Sequence, residues 1–369
     1  MRAVLRLAGR RLAHRWPILV AAGLLVGVGY GICLASVNAG RRTESAYERV
    51  LAAADAPDAA VAHTLSPDEA EQRLGSIDGV LDLRHSVGFV GTVDGVDPAL
   101  ARAMIGATGD RFPLELPKLR SGRLPRPRSA DEVFVNEFLA DRGGLELGEP
   151  LDLQLFSPDF STVADAHATV VGIGSMPREA VIDETTAFGL LVFSRAFSEQ
   201  HRGFEIYATT TLDLAPGVDA RRDLAVDIGR AGGELSEVRS QGQQAVDDAL
   251  GPLVTLLFAL GLLAFVASTV AVGQVIQRDQ ERWHADDEHL RVLGMVRAQV
   301  VLARLSSALL IAVVAIVTAL GVTAATSPLA PFGPLHELDP GQGVVVDLTV
   351  AVVGALAILA AIGMAALAF

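Results

Sequence analysis

The chain has 369 residues and a mass of 38.6 kDa, and it is 51% hydrophobic and 20% charged with a mean hydropathy of +0.40. That is too apolar for an ordinary soluble protein and too polar to lie wholly in a bilayer, so membrane-embedded and aqueous parts share one chain. The single cysteine, Cys33, excludes an intramolecular disulfide framework and a cysteine-based zinc site. Residues 38–249 carry 35 acidic and 20 basic side chains, against 8 and 10 in the remainder. This acidic block argues against nucleic acid, which needs a basic footprint, and against anionic lipid.

Arg2, Arg6, Arg10, Arg11 and Arg15, with no acid among them, precede the uncharged stretch Pro17–Val37. A bilayer core of about 30 Å needs roughly 20 apolar residues in a helix, so residues 17–37 read as a first spanning helix after a cytoplasmic segment, 1–16. Small residues from Ala35 to Ala39 also fit a cleaved signal peptide, but the apolar core is longer than the usual one. Gly23, Gly27 and Gly31 recur every four residues and share one helix face. Such spacing lets helix backbones approach closely, and it fits either packing within the subunit or a seam between subunits.

Residues 38–249 follow as an extracytoplasmic domain. The breaker-free run 41–51 predicts a helical stalk continuing the first span. Ser66-Pro67-Asp68-Glu69 is a capping box that opens a helix through about Leu74. Residues 81–94 read as extended, with a turn at 93–95. Strands are expected at 132–135, 151–156, 168–175, 190–193 and 204–212, with a glycine-closed helix at 136–144 between the first two. A helix over 216–231 ends at Gly232-Gly233, and 241–250 reads as a second stalk. The domain is therefore mixed α/β. His63, His85, His167 and His201 have no metal-ligand spacing, and neither GxSxG nor HExxH occurs. Lys118 is the lone lysine and sits in no phosphate loop, so the chain is not expected to hydrolyse ATP by itself, and no cofactor or catalytic residue is expected.

A second span is expected at 250–276, a cytoplasmic segment at 277–298, a third span at 299–325, an outer loop at 326–343 and a fourth span at 344–369. The loop 326–343 has neither Lys nor Arg and bears Glu337 and Asp339, which suits the outer side. In the cytoplasmic segment Leu290, Leu293 and Val296 recur at threes among charges, the pattern of an amphipathic interfacial helix. His284 and His289 fall on different faces of such a helix and read as solvated.

LRVLGMVRAQV (290–300) resembles the LRALGxxRxQ stretch of the FtsX-like/MacB-like family of ABC transporter permeases. SGRLPRPRSADEVFVNEFLADRGGLELGEPLDL (121–153) and ATVVGIGSMP (168–177) resemble the family's periplasmic core domain in their Gly-Arg-x-Pro, Glu-Val-x-Val-x-Glu, Leu-x-x-Gly and Val-Val-Gly-Ile patterns. AGRRTESAYERVLAAADAPDAAV (39–61) is similar to the start of the long actinobacterial members. The resemblance covers essentially the whole chain, as the N-terminal half of such a member. It implies an α-helical membrane domain of four transmembrane helices with an inserted mixed α/β extracytoplasmic domain of the MacB-like periplasmic core type, in the plasma membrane. It also implies a permease without its own motor. A separate cytoplasmic ABC ATPase subunit would couple through Asp286 (often Glu in the family), Leu290, Arg291, Leu293 and Gly294. A second permease half or a homodimer partner would complete the membrane part, and an extracytoplasmic protein or a lipophilic or lipoprotein substrate would engage the outer domain. The other reading is a mechanotransmitting scaffold that regulates an extracytoplasmic cell-wall enzyme without transport.

Overall fold

The computed structural model describes the backbone of residues 2–177, 179, 188–292, 297–333 and 335–368. Side chains are described for 16–177, 179, 188–278 and 307–367, except 223, 237–238, 240–241 and 334. In chain order the elements are α1 (Arg2–Glu44), α2 (Ala46–Ala53), β1 (Ala59–His63), α3 (Pro67–Leu74), β2 (Val80–Phe89), β3 (Gly91–Val93), β4 (Ala101–Ala107) and β5 (Lys118–Gly122). Then come β6 (Glu132–Asn136), α4 (Glu137–Gly143), β7 (Pro150–Phe156), β8 (Val163–Ser175), β9 (Gly189–Phe193), α5 (Arg195–Gln200) and β10 (Glu205–Leu214). The last are α6 (Ala225–Ala231), β11 (Gly233–Val238), α7 (Arg239–Val292), α8 (Arg297–Thr326), α9 (Leu335–Leu338) and α10 (Leu348–Ala368). Two compact units result, one of Met1–Ala46 with Leu250–Phe369, the other of Tyr47–Ala249.

The first unit holds four helices long and apolar enough to cross a membrane, over Trp16–Glu44, Gly242–Arg278, Ser307–Leu329 and Leu348–Leu367. Its core is a seam of α1 and α8 joined by α10, with Val26, Tyr30, Ile311, Ala315, Ala319, Ile358 and Ile362 buried in it. Small residues dominate the α8 side, which lets α1 come close. The Tyr30 hydroxyl lies 3.1 Å from Thr269 Oγ1 on α7, which satisfies a polar group where water is absent.

The second unit is a mixed sheet ordered β11-β1-β10-β2-β4-β9-β6-β8-β7-β3, with β5 added on β8. The β4/β9 and β6/β8 pairs are parallel and the others antiparallel. One core gathers β2, β4, β6 to β9, α4 and α5, with the Phe193 and Phe197 rings stacked 4.0 Å apart. A second packs α3 and α6 on β1 and β10 through Leu74, Ile228, Val61 and Leu212. The fold class is thus a four-helix membrane domain with an inserted α/β domain.

Local chemistry explains the element boundaries. Ser66 caps α3, with the reciprocal Glu69 contact of a capping box. Asn136 caps α4, and Gly144, at φ +69°, closes it. Two expectations need correction. The stalk 41–51 is interrupted at Ser45, between the end of α1 at Glu44 and the start of α2 at Ala46. Helix formation does not begin at Pro216 either. Gly217 has φ +88°, and Asp219 takes the N–H groups of Arg221 and Arg222, so a π-turn over Ala220–Leu224 opens the segment before α6. Strands β1, β4, β5 and β11 add to those expected from the sequence.

Candidate functional site

The three glycines of α1 face α8. A Cβ on Gly23 would lie 2.8 Å from Val314 Cβ, and on Gly31 2.7 Å from Val322 Cβ. At Gly27 it would meet Thr318 Cβ at 2.7 Å and the Ala315 backbone at 2.9 Å. Along this face α1 and α8 leave no room for a side chain at the three glycines.

Beyond the last of these glycines, α1 carries a polar cluster. Asn38 donates to the Val345 carbonyl and accepts the Asp347 N–H at 2.9 Å. Arg41 pairs with Asp347 at 2.8 Å, and the Thr43 hydroxyl accepts from Phe332 N–H. Arg42, only 7% exposed, donates to the carbonyls of Ser327 and Gly341 at 2.8 Å and lies 3.5 Å from Asp339, itself 1% exposed. The segment between the third and fourth spans is therefore held on α1 by four side chains within six positions. The sequence carried a signal for this: two arginines follow the first span on the side where the positive-inside rule disfavours them, opposite a segment with acids and no bases.

The proposed coupling residues lie elsewhere. Leu293 and Gly294 are outside the described residues, and at Asp286, Leu290 and Arg291 only the helical backbone of α7 is described. His284 and His289 likewise lie outside the described side chains.

In the inserted domain, the four motif segments meet around β8. Arg123 makes a bidentate pair with Glu132, both bonds 2.6 Å, and the Arg126 N–H donates to the same carboxylate at 2.7 Å. This arrangement pulls the Glu132 carboxyl down to about 2, chiefly through the Arg123 guanidinium. Gly122, at φ +77°, pairs with Gly172 of β8, where a Cβ would fall 2.1 Å from the Arg123 carbonyl. Gly148 N–H donates to the Val170 carbonyl at 2.7 Å. Asn136 accepts from Leu139 and Leu190 N–H, tying β6 to α4 and β9. Gly122, Arg123, Glu132, Gly148 and Gly172 thus each meet a backbone or charge requirement of one fold.

The same domain has a cleft of about 880 Å³ bordered by the start of α3, by β2 and β10, and by α5. His85 lines it, and His85 and His63 both bond the Thr210 hydroxyl. Sequence spacing did not reveal this cluster, because three strands far apart in the chain assemble it. Among the described residues no three His, Cys, Asp or Glu side chains are grouped to hold a metal ion.

The chain is a multi-pass membrane protein with a large non-membrane domain inserted between its first and second spans. No family model matches it, and no curated protein matches it at a significant level.

Proposed function

We propose that this chain is the permease subunit of an ABC transporter of the FtsX-like/MacB-like type, driven by a separate cytoplasmic ATPase. One observation carries the reading: the Gly-Arg-x-Pro, Glu-Val-x-Val-x-Glu, Leu-x-x-Gly and Val-Val-Gly-Ile segments join through Arg123, Glu132, Gly148 and Gly172 in a domain inserted between the first two of four spans. Nucleotide-driven closure of the ATPase would act on the segment 278–298, where Asp286, Leu290, Arg291, Leu293 and Gly294 would form the contact. Leucines would supply the apolar face, and Arg291 a bidentate donor for a partner carboxylate. The spans would pass the motion to the inserted domain, which would act on a lipophilic or lipoprotein substrate or on an extracytoplasmic protein. A second permease half or a second copy would complete the membrane part.

The test is co-purification. Replacing Leu290 and Leu293 together with Asp should abolish recovery of the ATPase with the permease, while membrane insertion and protease resistance of the inserted domain persist. Recovery of the ATPase with the double variant would refute the coupling assignment.

A further inference from the structure

Thr210 lies on β10, fully buried, and its single hydroxyl serves two imidazoles: His63 Nε2 on β1 and His85 Nδ1 on β2, each 2.7 Å away. Thr210 is in register with Val61 on one side and His85 on the other, and His63 follows Val61 by two, so all three polar groups share one sheet face. Along β2 that face runs Leu83, His85, Val87, with Leu83 in the α3/α6 core and Val87 in the α5 core. His85 therefore sits between two hydrophobic cores, on the cleft floor beside α3.

Of the other two ring nitrogens, both buried, His85 Nε2 has no hydrogen-bond partner and His63 Nδ1 has only the Leu65 backbone beside it. In the neutral state one hydroxyl proton suffices, because Thr210 donates to one ring and accepts the N–H of the other. With both rings charged, both become donors to the same oxygen, the hydroxyl proton loses its acceptor, and two cations face each other across one atom. We propose that His63, Thr210 and His85 form a proton-responsive clasp that ties β1, β10 and β2 together at neutral pH and loosens them on acidification.

The surrounding charges are consistent with this role. Asp68 and Glu71, both on α3, act on His85 in favour of its proton, but burial outweighs them and lowers its titration below the ordinary 6.5. His63 is lowered too, by burial first and by His85 second, with the Leu65 backbone opposing. Of the other charged groups lining the cleft, Arg84 is engaged by Asp55 and Asp213, and Arg111 by Asp55 and Asp82. Asp110 and Glu199 are held by Arg195, and Glu205 by the Gly203 N–H. Arg202 also lines the cleft. Since both folded values lie below the unfolded one, the clasp stabilises fully above about 6.5 and weakens as pH falls through the folded values.

Hydrogen exchange of the full chain in lipid nanodiscs tests the clasp, comparing about pH 7.5 with about pH 5.5 after correction for intrinsic rates. Protection of the β1, β10 and β2 amides around the clasp should fall several-fold, while α4 keeps its protection. The double variant His63→Gln/His85→Gln, whose amides hydrogen-bond without titrating, should show no such fall. Unchanged protection of these strand amides in the parent, an equal fall in α4, or an equal fall in the double variant would each overturn the proposal. Should that variant fail to fold, histidine-selective carbon NMR of the parent decides: two midpoints below 6.5 support the clasp, and midpoints at or above it overturn it.

Discussion

Arg42 and Asp339, 297 positions apart in the chain, form a buried ion pair at the C-terminal end of α1, with the guanidinium also held by the Ser327 and Gly341 carbonyls. Burial makes such a pair asymmetric: the two charges offset each other's desolvation, and removing either one takes that offset from the other. Arg42 thereby fixes the segment joining the third and fourth spans.

Asp339→Ala is expected to destabilise the full chain by roughly 3–5 kcal/mol, the usual cost of breaking a buried pair from one side. The double replacement Arg42→Met/Asp339→Leu should recover most of that loss, since neither charge remains. Thermal unfolding midpoints in detergent measure both. A double variant no better than the single one would mean that the carbonyl contacts of Arg42 dominate.

Gly27→Leu should destabilise the membrane unit by about 1–3 kcal/mol or more through overpacking, because the first added carbon already meets the Ala315 backbone, which cannot rotate away. Leu25→Ala, at a position 71% exposed, should change little. Detergent stability and crosslinked assembly state of the two variants are the comparison. Equal stability would show that the seam of α1 and α8 tolerates separation.

Orientation can be read with an impermeant thiol reagent in a Cys33→Ala background. A cysteine replacing the exposed Arg128 should label in intact cells, and one replacing Asp287 should label only after permeabilisation. Labelling of both in intact cells would contradict a cytoplasmic segment at 277–298.

The Arg123–Glu132 pair sets an acid limit on the inserted domain. The Glu132 carboxyl titrates near 2 when folded, below its ordinary 4.5, so the pair's contribution is complete above about 4.5 and is lost as pH falls toward 2. Glu132→Gln should therefore lower the unfolding midpoint at neutral pH and flatten its decline through that window. The expected loss is on the order of 1–2 kcal/mol, modest because Arg123 is 42% exposed and partly screened. An unaltered acid limb would place the sensitivity in other carboxylates.

What was legible in the sequence is local. Four apolar runs read as spanning helices because hydropathy needs no knowledge of neighbours. Ser66 with Glu69, and Asn136 with Gly144, marked helix ends because capping joins groups within a few residues. Strand β6 was legible from Val133, Phe134 and Val135, whose branched and aromatic side chains suit a pleated, buried surface. Strand β1 was not: Ala59-Ala60-Val61-Ala62-His63 is poor in strand formers and is extended because β10 and β11 flank it on both sides. Helical spacing could predict that Gly23, Gly27 and Gly31 share a face, but not that α8 occupies it. The pairing of Arg42 with Asp339 and the meeting of His63 and His85 on Thr210 depend on chain segments that come together only when the whole fold forms. Hydropathy and capping act over a few residues, and the sequence by itself determines them; charge pairing and shared hydrogen bonds act through space, and only the tertiary structure decides which groups they join.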